Sequence, residues 1–245
     1  MNDSDPSPPP TQVSPSAAWS ADYSQRTPIK KGPPQKWLAL LDRVDTEITN
    51  LARDRLTWKT VNDIAAKSEV VSEQPYFVNW VAGLYASSLA LGVRKMNDPD
   101  PRAASLFNLF EKMAYAPEKL TREWFCSDIY VGLVEGMDRS FTSNADPGNI
   151  GHLDPSIVRV DQARLNATAN TIGHYVNQHV AHAQARPNAP IPTYADLHAS
   201  VDTLCELLRK YISLLKRADR IECAPIFQMP WDRVFLEPWS RPGAP

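Results

Sequence analysis

The chain has 245 residues, 43% of them hydrophobic and 22% charged, with a formal net charge of −2. That length holds one large domain or two small ones, each able to bury a core. The balance is that of an ordinary globular protein, and it argues against purely electrostatic binding to nucleic acid while leaving room for a local basic patch.

The opening decapeptide, MNDSDPSPPP, is acidic and proline-rich, unlike a signal or transit peptide. Cys126, Cys205 and Cys223 match no zinc or redox spacing, and three cannot all pair within the chain. Reduced thiols in a cytoplasmic protein are therefore expected. The most apolar stretch, residues 77–93, carries Asn79, Ser87 and Ser88 and is short for a span. It reads as a buried core helix, with no membrane partner.

Residues 1–34 hold eight of the 22 prolines and almost no apolar periodicity, so they read as a disordered tail. Trp19 and Tyr23 could make it a docking peptide. Residues 35–245 read as a single helical domain. Its first helix begins near Gln35, with Trp37, Leu41, Val44, Ile48 and Leu51 on one stripe. A second short helix is expected over 54–67, with Leu56, Val61 and Ile64. A third is expected over 75–96, where Phe77, Trp80, Leu84, Ser87, Leu91 and Arg94 keep one spacing. That register places Arg94 on the core-facing seam. A buried guanidinium needs a partner, and Asp98 is the nearest carboxylate along the chain.

The segment after Asp100-Pro101 reads as a capped helix, and one or two short helices follow from Pro117. A loop over 142–153 contains Pro147, Gly148 and Gly151. Asp154-Pro155 then caps a long helix over 154–186, with Val158, Leu165, Ala169, Ile172, Val176, Val180 and Ala183 on its seam and Pro187 at its close. Thr193 and Asp196 are spaced as a capping box. Leu197, Val201, Leu204, Leu208, Tyr211 and Leu215 form the cleanest seam in the chain. Arg209, Lys210, Lys216, Arg217 and Arg220 crowd its end, where cations complement the helix dipole or form a phosphate patch. Trp231, Phe235 and Trp239, among prolines, suggest an irregular strap over the helices. No alternating strand pattern appears, so the fold class is all-α, an antiparallel helical bundle.

Chemistry concentrates at the end of the long helix. At about 100° per residue, Tyr175, His179, His182 and Arg186 share one flank of the seam, and Asn177 lies on the other. Two imidazoles, a phenol and a guanidinium could bind phosphate and move protons. Half-buried amphipathic side chains at a seam's edge account for the same pattern. His179 and His182 are three apart and could share a metal, but no third ligand is near, so no metal site is assigned. Nine glycines form no phosphate loop or dinucleotide fingerprint, and no Gly-x-Ser-x-Gly elbow is present.

Four segments in order, LGVRKMND at 91–98, LDPSIVRVDQARL at 153–165, YVNQHVAH at 175–182 and TYADLH at 193–198, resemble the helical domain of bacterial abortive-infection proteins of the HEPN superfamily (higher eukaryotes and prokaryotes nucleotide-binding). The resemblance spans about residues 35 to 239. It implies a helical bundle of a defence or toxin–antitoxin type system, a homodimer, an RNA partner, a protein partner from the same system and no cofactor. Many members are metal-independent endoribonucleases with an Arg-x(4–6)-His motif. His182 matches the motif histidine and Asn177 its polar residue, whereas Val176, or Asn177 at the shorter spacing, stands in place of the arginine. Arg94 and Arg186 are the candidate substitutes. On this reading His182, Asn177 and Arg94 are the catalytic set, and His179, Tyr175, Arg186 and Asp98 bind substrate. The alternative is a non-catalytic interaction or dimerisation module with a degenerate motif.

Overall fold

The computed structural model describes residues 26–181 and 188–236, apart from the side chains of Val70 and Ser72. Among the described residues the protein is all-α. The only strand-like pairs among those residues are two isolated bridges, Arg26 with Tyr130 and Thr121 with His152. Residues 1–25, which carry most of the expected tail, lie outside the described part. Within 26–34, Thr27 Oγ1 donates to Cys126 O at 3.0 Å and the Lys30 ammonium meets Glu123 at 2.7 Å.

Helix α1 (Gln35–Ala65) is one rod of 31 residues. The expected break before residue 54 does not occur. The stretch 52–65 has neither Gly nor Pro, so nothing interrupts the hydrogen-bond ladder. Trp37, Leu41, Val44, Ile48 and Leu51 are buried as their spacing requires. Further along, Trp58 takes the inner position and Leu56 faces out. A short helix α2 (Glu69–Glu73) leads to α3 (Tyr76–Met96).

Helix α3 carries the main correction to the sequence reading. Its core face is Tyr85, Leu89, Ala90, Val93 and Met96, not the stripe through Phe77, Trp80 and Leu84. That stripe is exposed: Phe77 by 48%, Trp80 by 55%, Leu84 by 54% and Leu91 by 37%. The helix is apolar on two sides, and periodicity alone cannot say which side is inner. Gly92 fixes the choice, because it brings α3 so close to α1 that a Cβ there would lie 2.3 Å from Leu51 Cδ2. Among the described residues, α3 is the one helix long and apolar enough to cross a membrane by length and composition.

Helix α4 (Leu106–Tyr115) starts later than Asp100-Pro101 suggested. Ser105 is its N-cap and accepts from Asn108 N, while its hydroxyl donates to Asp98 O at 2.7 Å. Asp100 instead holds a turn with Arg102. Helices α5 (Arg122–Phe125) and α6 (Val134–Asn144) follow, with 3-10 turns before each. Buried Asp146 then clamps the loop into α7. It accepts from the amides of Ile150 (2.7 Å) and Gly151 (2.8 Å) and pairs with Arg122 at 2.9 Å. Burial works against its charge, but those donors outweigh it and hold the carboxyl below its ordinary range.

Helix α7 (Pro155–Tyr175) is capped by Asp154, whose side chain accepts from Ser156 N. It continues as a π turn, Val176–Val180, closed by Ala181 N to Val176 O at 2.7 Å. Helix α8 (Tyr194–Lys216) has the expected Thr193–Asp196 capping box, and its whole predicted seam is buried. Short α9 (Arg233–Leu236) packs back on α1, and the Trp231 ring meets Phe227 at a tilt and Phe235 edge-on. Trp239 lies outside the described residues.

The helices form one packed core. α1 lies against α3, α4 and α8, and α7 lies against α3, α4 and α8. Phe110 and Tyr211 meet at its centre, 4.7 Å apart. The cations at the end of α8 serve this packing. Lys210 pairs with Asp161, Lys216 with Asp42 and Arg220 with Asp45, while Arg209 donates to Ile221 O and Arg217 to Ser127 O. With those partners they are structural, not a phosphate patch.

Candidate functional site

The last turn of α3 meets the last turns of α7 and the π turn that follows. A cavity of about 210 Å³ opens there, lined by Arg94, Asn97, Asp98 and Pro99 on one side and Ala169, Asn170, Gly173, His174 and Asn177 on the other. Each position follows from its helix. Arg94 is half-buried in the last turn of α3, on the outer stripe. Ala169 is buried, and Asn170, His174 and Asn177 climb the adjoining face of α7 at steps of four and three. Gly173 floors the cavity, where a Cβ would meet nothing within 4 Å.

The polar groups here are uncommitted. The side chains of Arg94, His174 and Asn177 make no hydrogen bond or ion pair among the described residues. The Asn97 Oδ1 atom is buried with no partner there. The expected Arg94–Asp98 ion pair does not form. Asp98 lines the cavity, but its carboxylate accepts from Asp100 N at 2.9 Å and its carbonyl from Ser105 and Asn108. Its work is to shape the loop after α3. Nearly every other described arginine of the domain has a carboxylate or carbonyl partner, as Arg55, Arg122, Arg159 and Arg220 do.

Of the sequence-predicted residues, Arg94, Asn177 and Asp98 therefore share one cavity. Tyr175 and His179 do not line it. Their rings stack 5.1 Å apart, and His179 Nε2 lies 3.2 Å from Ala189 O. Tyr175 lines a separate small pocket with Ala86, Ile191, Pro192, Tyr194 and Leu197. The regular 100° projection loses register at the π turn, which takes about one more residue per turn than an α-helix. His182 and Arg186 lie outside the described residues. Among the described residues no three His, Cys, Asp or Glu gather closely enough to hold a metal.

His174 was missed as a site residue because it lies off the Tyr175–His179 flank that the projection favoured. A signal was available: it is three residues before Asn177 and so shares its face.

A second polar cluster joins α1, α3 and α8. Tyr85 Oη lies 2.7 Å from His198 Nε2, Tyr194 donates to Ala82 O at 3.2 Å, and Trp58 stacks on Tyr85 at 5.2 Å. Burial, then Lys59 and Arg55, push His198 below the ordinary histidine range. Burial pushes Tyr85 up. These groups are satisfied by one another and hold the helices together.

No curated protein and no solved structure matches the chain. The family model of AbiU2 (HEPN_AbiU2) matches residues 34–236. Two of the four family-like segments, 91–98 and 175–182, meet at the Arg94 cavity. The match spans most of the chain and all of its described helices from α1 to α9, and the protein belongs to the AbiU2 family of abortive-infection-type HEPN domains.

Proposed function

We propose that this domain binds RNA at the α3–α7 cavity and cleaves it without a metal, acting as a cytoplasmic homodimer within an abortive-infection system that includes a protein partner. The observation that carries the reading is Arg94: a half-buried guanidinium with no ion pair among the described residues, sharing a cavity with His174 and Asn177. A cation left unpaired in a polar recess is a site for an anion. The cavity is smaller than the about 300–1,000 Å³ of pockets that enclose whole drug-sized ligands. It suits one phosphate of a chain that runs on across the surface.

In this reading the ribose 2′-hydroxyl attacks the adjacent phosphorus. The O2′–P bond forms, the P–O5′ bond breaks, and a 2′,3′-cyclic phosphate remains. Arg94 stabilises charge on the phosphorane, and Asn177 positions the phosphate or ribose. A histidine takes the 2′ proton and another donor supplies O5′. His174 lines the cavity, and His182 is the histidine that the family motif indicates. Their roles are separable by single substitution.

Purified protein incubated with total RNA in EDTA tests this. Expected are cyclic-phosphate ends that disappear in Arg94→Ala and in His182→Ala or His174→Ala. Cleavage undiminished in all three variants would overturn the site. One observation favours a second reading, a non-catalytic module: Val176, which stands where the motif has arginine, is fully buried. Salt-dependent RNA binding that needs Arg94, without cleavage by wild-type protein, would select it.

A further inference from the structure

A groove of about 260 Å³ lies between the start of α1 and the loop that leads into α4. Lys36, Arg43, Arg102 and Lys112 line it, and no Asp or Glu is among its described lining residues. Arg102 is held by Asp100 at 2.6 Å. The side chains of Lys36, Arg43 and Lys112 make no hydrogen bond or ion pair among the described residues. The acids along the same helices are committed elsewhere: Asp42 to Lys216, Asp45 to Arg220, Glu47 to Lys95 and Glu111 to Arg159. Three cations are thus left uncompensated in one recess of a chain whose net charge is −2.

The fold gains little from this arrangement. Lys36 stands in the first turn of α1, which holds no acidic residue and where the helix dipole is already positive. Lys112 is half-buried, and a partly desolvated ammonium needs a counter-charge. The groove also adjoins the Arg94 cavity. The loop 97–104 walls both, with Pro99 on the cavity and Pro101 on the groove. Two residues of chain span at most about 7 Å. The ridge between the recesses is exposed at Pro99, Pro101 and Arg102. Buried Asn108 fixes it from beneath, donating to the carbonyls of Asp100 at 2.6 Å and Ala103 at 3.0 Å.

We infer that the α1–α4 groove holds the phosphodiester backbone of the RNA strand beside the phosphate bound at Arg94, the strand crossing the Pro99–Arg102 ridge. The inference rests on the functional reading above and adds a second surface to it. Lysine and arginine contacts to phosphates set affinity and register without reading sequence. The groove offers cations and no aromatic ring, so it grips the backbone and leaves the bases to the solvent side. The Arg94 cavity, with its amide and imidazole groups, is where the chemistry takes place.

The test uses the full chain and a fluorescent single strand of about twelve nucleotides, within the usual range of such sites. The strand carries 2′-deoxyribose throughout, so it lacks the attacking hydroxyl and stays intact. The triple variant Lys36→Gln, Arg43→Gln, Lys112→Gln should weaken binding about tenfold or more. It should also flatten the slope of log affinity against log salt by about 2, at about 0.7 per phosphate contact on a single strand. Adenine and uracil homopolymers should lose alike. The double variant Lys36→Gln, Arg43→Gln, at two exposed positions, should flatten the slope by about 1.4 and guards against misfolding at Lys112. Lys59→Gln with Lys67→Gln makes the same change of net charge near the far end of α1 and should alter neither quantity. Affinity and slope unchanged in the triple variant, with binding lost in Arg94→Ala, would overturn the groove alone and leave it for an acidic protein segment. Binding lost in the triple variant but intact in Arg94→Ala would keep the groove and overturn the cavity as the RNA site. A wild-type protein that binds no strand at low salt would overturn both.

Discussion

Helix α7 carries two polar clusters that differ in one respect. Near its start, buried Asp161 accepts from the Lys210 ammonium at 2.6 Å and the Tyr211 hydroxyl at 2.9 Å. Every group there has a partner, and the cluster ties α7 to α8. Near its end, His174 and Asn177 share a cavity with Arg94, and none of the three side chains has a hydrogen-bond or ion-pair partner among the described residues. Paired charges inside a protein are part of its scaffold, whereas a guanidinium left unsatisfied in a recess is held ready for something else. The difference marks which of two similar clusters is the candidate site, and residue type alone does not tell them apart.

The comparison breaks or holds under substitution. Arg94→Ala should lower RNA cleavage about 10²–10³-fold, the usual loss when one charge-stabilising donor is removed, with an unchanged unfolding midpoint. Should the domain only bind, the same variant should flatten the salt dependence of RNA affinity by about one phosphate contact, read by fluorescence anisotropy. Asp161→Ala should do the reverse. It leaves Lys210 and Tyr211 without an acceptor and should cost about 1.5–3 kcal/mol in urea unfolding, with the RNA readout per folded molecule unchanged.

Gly92→Ala probes the contact that turns α3 and so aims Arg94. Forcing a Cβ against Leu51 should cost about 1–3 kcal/mol and reduce RNA binding only in proportion to the α3 shift. The mildest effect is on pH dependence. His198 has a folded value lowered by burial, Lys59 and Arg55, so its protonation favours the unfolded chain. Its contribution is present above the unfolded value of about 6.5 and is lost as pH falls through the lower folded value. In His198→Asn the stability profile should flatten just below pH 6.5. The loss tied to Asp146, also lowered in the fold, should remain below about pH 4.

Part of the candidate site was legible in the chain. Arg94 and Asn177 stood out as an arginine among apolar residues and a motif-like polar residue, and both line the cavity. Arg94 nevertheless sits on the opposite side from the one its spacing implies, because the seam with Phe77 and Trp80 faces out and not into the core. His174 is not singled out by the spacing, because it lies off the flank that Tyr175 and His179 share. Tyr175 and His179 were grouped with the site by a regular helix that the π turn at Val176–Val180 does not continue.

What the chain alone determined is local. The Asp154-Pro155 start, the Thr193–Asp196 capping box and the seams of α1 and α8 depend on groups within a turn or two of each other, and each is where the pattern required. Tertiary structure decided the rest: that 35–65 is one rod, that the second apolar face of α3 turns inward, and that residue 94 meets residue 177. A helix with two apolar faces satisfies its own backbone whichever way it is rolled. Only the close approach of Gly92 to Leu51 and the shape of the neighbouring helices select one roll, and that selection leaves Arg94 without a carboxylate.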